Sequence, residues 1–252
     1  MRSIVIQYII LSLIGTFLML LSSCNHQPPI VNKPKSIIDF KSTGGKLTDF
    51  EKGLAIKIVE ESEGDVRRLL SDLPNEISYE IEIVDWDLDV VGGVTGRAET
   101  NNPALVLIQI SKKFPGGVVA AIHAGLRPTL FHELHHLALG WAIQDNKFTP
   151  TIQTATIVEG LAEVFSEIHT GVKFKENHIP DSVNADEWVA EIMALPKDAD
   201  YQKWMFQHPD GRTSIGYRTG NYLIKKAMAS SNKSIIELSE LSINEVYELT
   251  GY

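Results

Sequence analysis

Two periodicities alternate along the chain. From Lys46 to Leu73, apolar residues Leu54, Ile56, Ile58, Val59, Val66, Leu69 and Leu70 recur at mostly helical spacing, with Pro74 just beyond, so this stretch is expected to be helix. Ile77, Tyr79, Ile81 and Ile83 then alternate with Ser78, Glu80 and Glu82, the pattern of a half-buried strand. Gly92-Gly93-Val94-Thr95-Gly96 reads as a turn, or as a strand that another backbone approaches closely. The apolar run Ala104 to Ile110 reads as a buried strand. A helix is expected to start near Pro128, a favoured first-turn residue, and to stop at Gly140. Another runs from about Thr151 to His169, with Gly171 at its end, and a third from Tyr217 to Ser230. Ser234 with Glu237, and Ser242 with Glu245, each fit a capping box. This order predicts an α+β domain with a small, mainly antiparallel sheet and a helical C-terminal part.

Ahead of these elements, Ile4 to Leu21 is almost entirely apolar, with Gln7 the main interruption and Arg2 in front. That is the pattern of a secretory signal. It closes in Leu21-Ser22-Ser23-Cys24, which resembles the lipobox of bacterial lipoproteins. The resemblance implies cleavage before Cys24, lipidation of its thiol, and anchoring of the chain to a bilayer. The alternative is a plain transmembrane anchor, since the run approaches the ~20 residues that span a membrane. Either way the folded part lies outside the cytoplasm. Asn25 after the cysteine is unlike the acidic residue that retains some lipoproteins in the inner membrane, which favours the outer one. Pro28, Pro29 and Pro34, then Gly44-Gly45, mark residues 24–45 as an extended tether. The expected organisation is signal 1–23, tether 24–45 and one domain over 46–252.

Composition narrows the chemistry. The chain has 252 residues, 22% of them charged, and a formal net charge of -9 with no long basic run, which argues against nucleic acid as a partner. Cys24 is the sole cysteine, so neither an internal disulfide nor a thiolate metal site can form. Any metal must be held by His and carboxylate.

Such a set is present. His132-Glu133-Leu134-His135-His136 fits H-E-x-x-H, whose i, i+4 spacing puts His132 and His136 on one helical face. Glu133, offset from that face, can reach a metal-activated water without coordinating the ion. A zinc site needs a third protein ligand and an open position. Glu159, on the next expected helix, supplies it if the two helices pair antiparallel. Glu163, one turn on, can accept a hydrogen bond from the far nitrogen of a ligand imidazole, expected to be His132, fixing its tautomer. The i, i+3 pair His132 and His135 would leave His136 idle and fits no peptidase motif, so His135 is expected beside the ligands or in the pocket.

At these residues the chain resembles the gluzincin branch of zinc peptidases, where a glutamate in an E-G-x-A helix is the third ligand. It is similar to the family of predicted Zn-dependent proteases with H-E-x-H-H, E-G-L-A-E and G-Y-x-x-G motifs, here His132 to His136, Glu159 to Glu163 and Gly216 to Gly220. The resemblance spans roughly Gly92 to Lys226 and implies a zincin-like fold, one zinc ion per chain and a peptide or protein substrate. It also implies a second oxyanion donor, for which Tyr217 is the first candidate, with His208 and Arg218 in reserve; Arg218 could instead pair with a substrate carboxylate or with Glu163. His123 and His178 have no motif support. Residues 92–98 could hold substrate along an edge strand. Two other readings stay open: a non-catalytic envelope lipoprotein that keeps the fold for binding or assembly, and a hydrolase of non-peptide amides.

Overall fold

The computed structural model of the chain describes residues 35–142 and 150–252. The apolar run, Cys24 and the first part of the expected tether lie outside the described residues.

The first element is a strand, β1 (Lys35–Phe40), where the sequence suggested only tether. Every second side chain of β1 is merely half-buried and none is fully buried, so its sequence carries little strand signal. Helix α1 (Asp49–Leu69) is shorter than expected at both ends. A capping box between Thr48 and Glu51 fixes its start. At the other end Leu70 turns extended, and Arg67 donates to the carbonyls of Leu73 and Pro74, steering the chain into the next strand. Ala55, Val59, Ser62, Glu63 and Val66 form the buried stripe of α1.

Strands β2 (Glu76–Val84), β3 (Val94–Glu99) and β4 (Ala104–Ser111) complete a sheet of order β1-β2-β4-β3. The expected antiparallel bias is corrected here. β1 pairs parallel to β2, β2 pairs parallel to β4, and only β3 and β4 are antiparallel. The cause is connectivity: α1 is a crossover that returns β2 in the direction of β1, and β4 inserts between β2 and β3. One face buries Ile77, Tyr79, Ile81, Val106, Ile108 and Ile110 in the main core. The other is half-exposed and mixed, with Leu105 and Leu107 among polar residues, and Gln109 donates to Glu82 at 2.8 Å.

The helix with the histidines begins earlier than expected. Short α2 (Gly117–Ala121) runs through a π-helical turn at Ile122–Leu126 into α3 (Arg127–Leu139) without leaving helical backbone angles. Pro128 therefore lies inside a continuous helical path. A proline there has no N–H to give and crowds the carbonyl four residues back. The wide π turn immediately before it accommodates both effects. Gly140, at φ 69°, ends the helix as expected.

Helix α4 (Ile152–Thr170) is capped by Thr151 and ended by Gly171. Helices α5 (Ala185–Met193), α6 (Tyr201–Met205), α7 (Ile215–Ser231), α8 (Ile235–Ser239) and α9 (Ile243–Leu249) make up the C-terminal part, the last two with the expected capping boxes. Helix α3 contacts the sheet, α1 and α4, and α4 packs along α7. The chain is thus α+β, with the histidine helix in its middle. Among the described residues, no helix is long and apolar enough to cross a membrane.

Candidate metal centre

Two motifs meet where α4 crosses α7. A methyl group on Gly160 would lie 2.5 Å from the carbonyl oxygen of Gly220, and one on Gly220 would strike the carbonyl of Thr156. Gly216, one turn before Gly220, leaves room for the Met205 sulfur. The glycines of E-G-L-A-E and G-Y-x-x-G thus let the two backbones touch, and the crossing sets Tyr217 beside the glutamates of α4.

Glu159 also faces α3. Its Oε2 lies 3.0 Å from His132 Nε2 and 3.2 Å from His136 Nε2, and the two Nε2 atoms are 3.0 Å apart. Three lone-pair donors from two helices form a nearly equilateral triangle. Tetrahedral zinc bound at about 2.0–2.1 Å would hold its donors roughly 3.3–3.4 Å apart. The triangle is only slightly tighter than that, so the residues fit the ion.

Burial alone would push the His132 pKa down, but its contacts with Glu159 and Glu163 outweigh burial and hold it well above the usual value. Burial would raise Glu159, yet the two histidines hold its carboxyl well below the usual carboxylate range. The histidines and glutamates of the cluster thus stabilise one another's charged forms. His132 Nδ1 lies 3.3 Å from Glu163 Oε1, and Asn177 donates to Glu163 Oε2. A proton on Nδ1 leaves Nε2 bare for a ligand role.

Glu133 is 6% exposed. Burial raises its pKa, opposed by His132, His136 and the Ala98 amide. It packs on β3, where a methyl group on Gly96 would come within 2.7 Å of its Cγ. A cavity of about 300 Å³ opens over this point, lined by Thr95, Gly96, Thr129, His132, Glu133 and Tyr217 among others. The Tyr217 ring is 6.5 Å from that of His132, and its hydroxyl makes no hydrogen bond to a described residue. Burial and then the charge of Glu159 push its pKa well up, so the phenol stays a proton donor. Tyr201 on α6 is pushed up by the same two causes. No local motif marks Tyr201, and only the fold brings it near Glu159.

Two other expectations are corrected, a pocket place for His135 and the pairing of Arg218 with Glu163. His135 lines no part of the cavity. It lies against Phe165, rings 4.9 Å apart, and its Nε2 is 2.9 Å from Ser239 Oγ. The Ser239 hydroxyl already donates to Ile235, so His135 donates to it, a neutral ring held well below its usual pKa by burial. Arg218 bonds Glu176 and Thr213, not Glu163. His208 packs on Trp204 and meets Asp210 at 2.8 Å. His178 sits 2.5 Å from Glu167, one turn beyond Glu163, and His123 is exposed.

With this geometry in place, the comparison with known families has a physical counterpart. The family model described as "Predicted Zn-dependent protease (DUF2268)" matches residues 120–248, just over half the chain. The chain belongs to that family. No curated protein and no solved structure matches it.

Proposed function

We propose that this chain is a zinc-dependent peptidase of the bacterial cell envelope. The observation that carries the reading is the triangle of His132, His136 and Glu159, with Glu133 buried beside it at the floor of a cavity. One zinc ion would be held by those three side chains. When bound, zinc supplies Lewis acidity, lowering the pKa of water to about 7 and polarising a carbonyl.

The chain's own residues do the rest. Glu133 accepts a proton from the attacking water and later delivers it to the leaving amine. Its raised pKa suits a group that must both take and give. Tyr217, with its phenol proton retained, donates a hydrogen bond to the developing oxyanion. Glu163, held by Asn177, keeps His132 in the tautomer that leaves Nε2 free.

The envelope location rests on the sequence of residues 4–24, which resembles a lipoprotein signal ending in Cys24. A lipid on that thiol would tether the domain to a bilayer, with the outer membrane favoured. Labelling with a fatty-acid analogue, lost in Cys24→Ser, tests this part. For the catalytic part, metal content is measured in the wild type, His132→Ala and Glu159→Ala. About one zinc per chain, lost in both variants, is expected. A well-folded wild type that takes up no metal would favour the non-catalytic binding lipoprotein.

A further inference from the structure

Resting on the peptidase reading, we infer that the cavity takes an internal, apolar stretch of an extended polypeptide. The chain is then an endopeptidase that cleaves beside a large apolar residue.

Charge points away from chain ends. Among the described residues, the ionisable side chains that line the cavity are His132, Glu133, Glu163 and Tyr217; no Lys or Arg does. Glu163 is engaged by His132 and Asn177, and Glu133 is the general base of the peptidase reading. Arg218 follows Tyr217 in α7 but is tied to Glu176 and borders a different cavity, with Lys173 and Lys175. Among the described residues, a substrate's terminal carboxylate finds no cation there, and a terminal ammonium finds no carboxylate beyond Glu133 and Glu163. Burying either charge unpaired is unfavourable.

The mouth is apolar. Val90, in the turn before β3, and Phe206, just after α6, are 58% and 47% exposed, and both line the cavity with Leu88, Val91 and Phe174. Large exposed apolar side chains gathered at one concave site mark a ligand surface.

The edge of the sheet supplies a register. The Gly93 carbonyl accepts from Ser111 on β4 at 2.8 Å. By antiparallel alternation, Thr95, Arg97 and Glu99 turn their backbone groups to β4, and Val94, Gly96 and Ala98 turn theirs outward. Consistent with this, the Val94 carbonyl takes the Thr129 hydroxyl at 3.3 Å. The N–H and C=O of Gly96 come next along the free edge of β3, where Glu133 and Thr129 pack. An extended segment can pair there and set one of its peptide bonds over Glu133.

The test uses the full zinc-loaded chain and peptides acetylated and amidated at their ends, identical except for a central Leu, Phe, Asp or Lys. Internal cleavage of the Leu and Phe peptides at least ten-fold faster than the Asp peptide is expected. Freeing either end should change the rate less than two-fold. Independently of turnover, metal-free protein should bind fluorescent Leu and Phe peptides at least ten-fold tighter than Asp peptide. Phe206→Ser should erode that preference five-fold or more without lowering the Tm. Release of single terminal residues, or equal handling of Leu and Asp, overturns this inference and leaves the peptidase reading intact. Selective binding with no cleavage of any peptide overturns the peptidase reading and the endopeptidase assignment with it, leaving only the apolar segment as ligand.

Discussion

Gly160 and Gly220 meet backbone to backbone, so closely that neither position has room for a methyl group. This contact couples the helix carrying Glu159 and Glu163 to the helix carrying Tyr217. Gly220→Ala must push α4 and α7 apart, since the obstruction is main chain and cannot rotate away. Overpacking of this kind costs about 1–3 kcal/mol or more. Urea unfolding should show that loss, and Tyr217 should leave its place over His132. A variant as stable and as active as wild type would mean the two helices slide freely.

Glu133→Gln is expected to keep its metal and fold while turnover drops by about 10²–10⁴-fold, the usual range for a general acid–base. The side chain stays the same size against Gly96, so metal content serves as the internal control. Undiminished peptide cleavage would remove Glu133 from the mechanism.

Tyr217→Phe deletes a hydroxyl that has no partner among the described residues, so stability should hardly change. Loss of one oxyanion donor lowers kcat by roughly 10²–10³-fold. KM should stay nearly constant. If kcat is also unchanged, Tyr201 becomes the donor to test, since the charge of Glu159 reaches its phenol too.

Glu163→Ala should weaken zinc binding by about 10–100-fold, because His132 loses the acceptor that fixes its tautomer. Chelator competition measures this directly. Glu163→Gln, which still offers a carbonyl oxygen to Nδ1, is expected to recover part of the affinity. Equal affinities in all three proteins would show that the His132–Glu163 contact does nothing for the metal.

Tyr79 reports on stability. Its hydroxyl donates to Glu63 at 2.8 Å in the core, where Ser36 and Arg67 bond the same carboxylate. Burial, then Glu63, pushes the Tyr79 pKa well above its usual value near 10. Its folded pKa is the higher one, so its contribution is complete below the unfolded pKa near 10 and is lost as pH rises through the folded value. Tyr79→Phe should cost about 1.5–3 kcal/mol at pH 7, as for a bond to a charged group. Above pH 10 its stability should fall less steeply than that of wild type, by about 1.4 kcal/mol per pH unit. Parallel curves from pH 7 to 11 would assign the alkaline loss to other groups.

The centre was legible because helix geometry is local. The i, i+4 spacing of His132 and His136 needs only a helix, and Glu159 and Glu163 repeat the spacing on the next one. What local pattern could not supply was long-range order. The direction of β4 depends on which strand lies beside it, so Ala104 to Ile110 read as a strand without revealing a parallel partner. β1, whose inner face is only half-buried, offered little contrast between its faces. Pro128 suggested a helix start because nothing nearby announced a π turn. His135 looked like a pocket residue by its neighbours in sequence, whereas its direction on α3 takes it to Phe165 and Ser239.

The open edge of β3 also bears on solubility. Unpaired strand edges are templates for self-association, and proteins blunt them with short lengths, charges or covering helices. Here α3 does the blunting, with Thr129 occupying the Val94 carbonyl and Glu133 packed against Gly96. A second copy of the sheet arriving edge-on would meet Thr129 and Glu133 along a strand of only six residues, a poor template for a fibril. The same α3 side chains that prepare the site for chemistry thereby keep the sheet from polymerising, and replacing both Thr129 and Glu133 with small residues would lengthen the exposed ladder and invite aggregation.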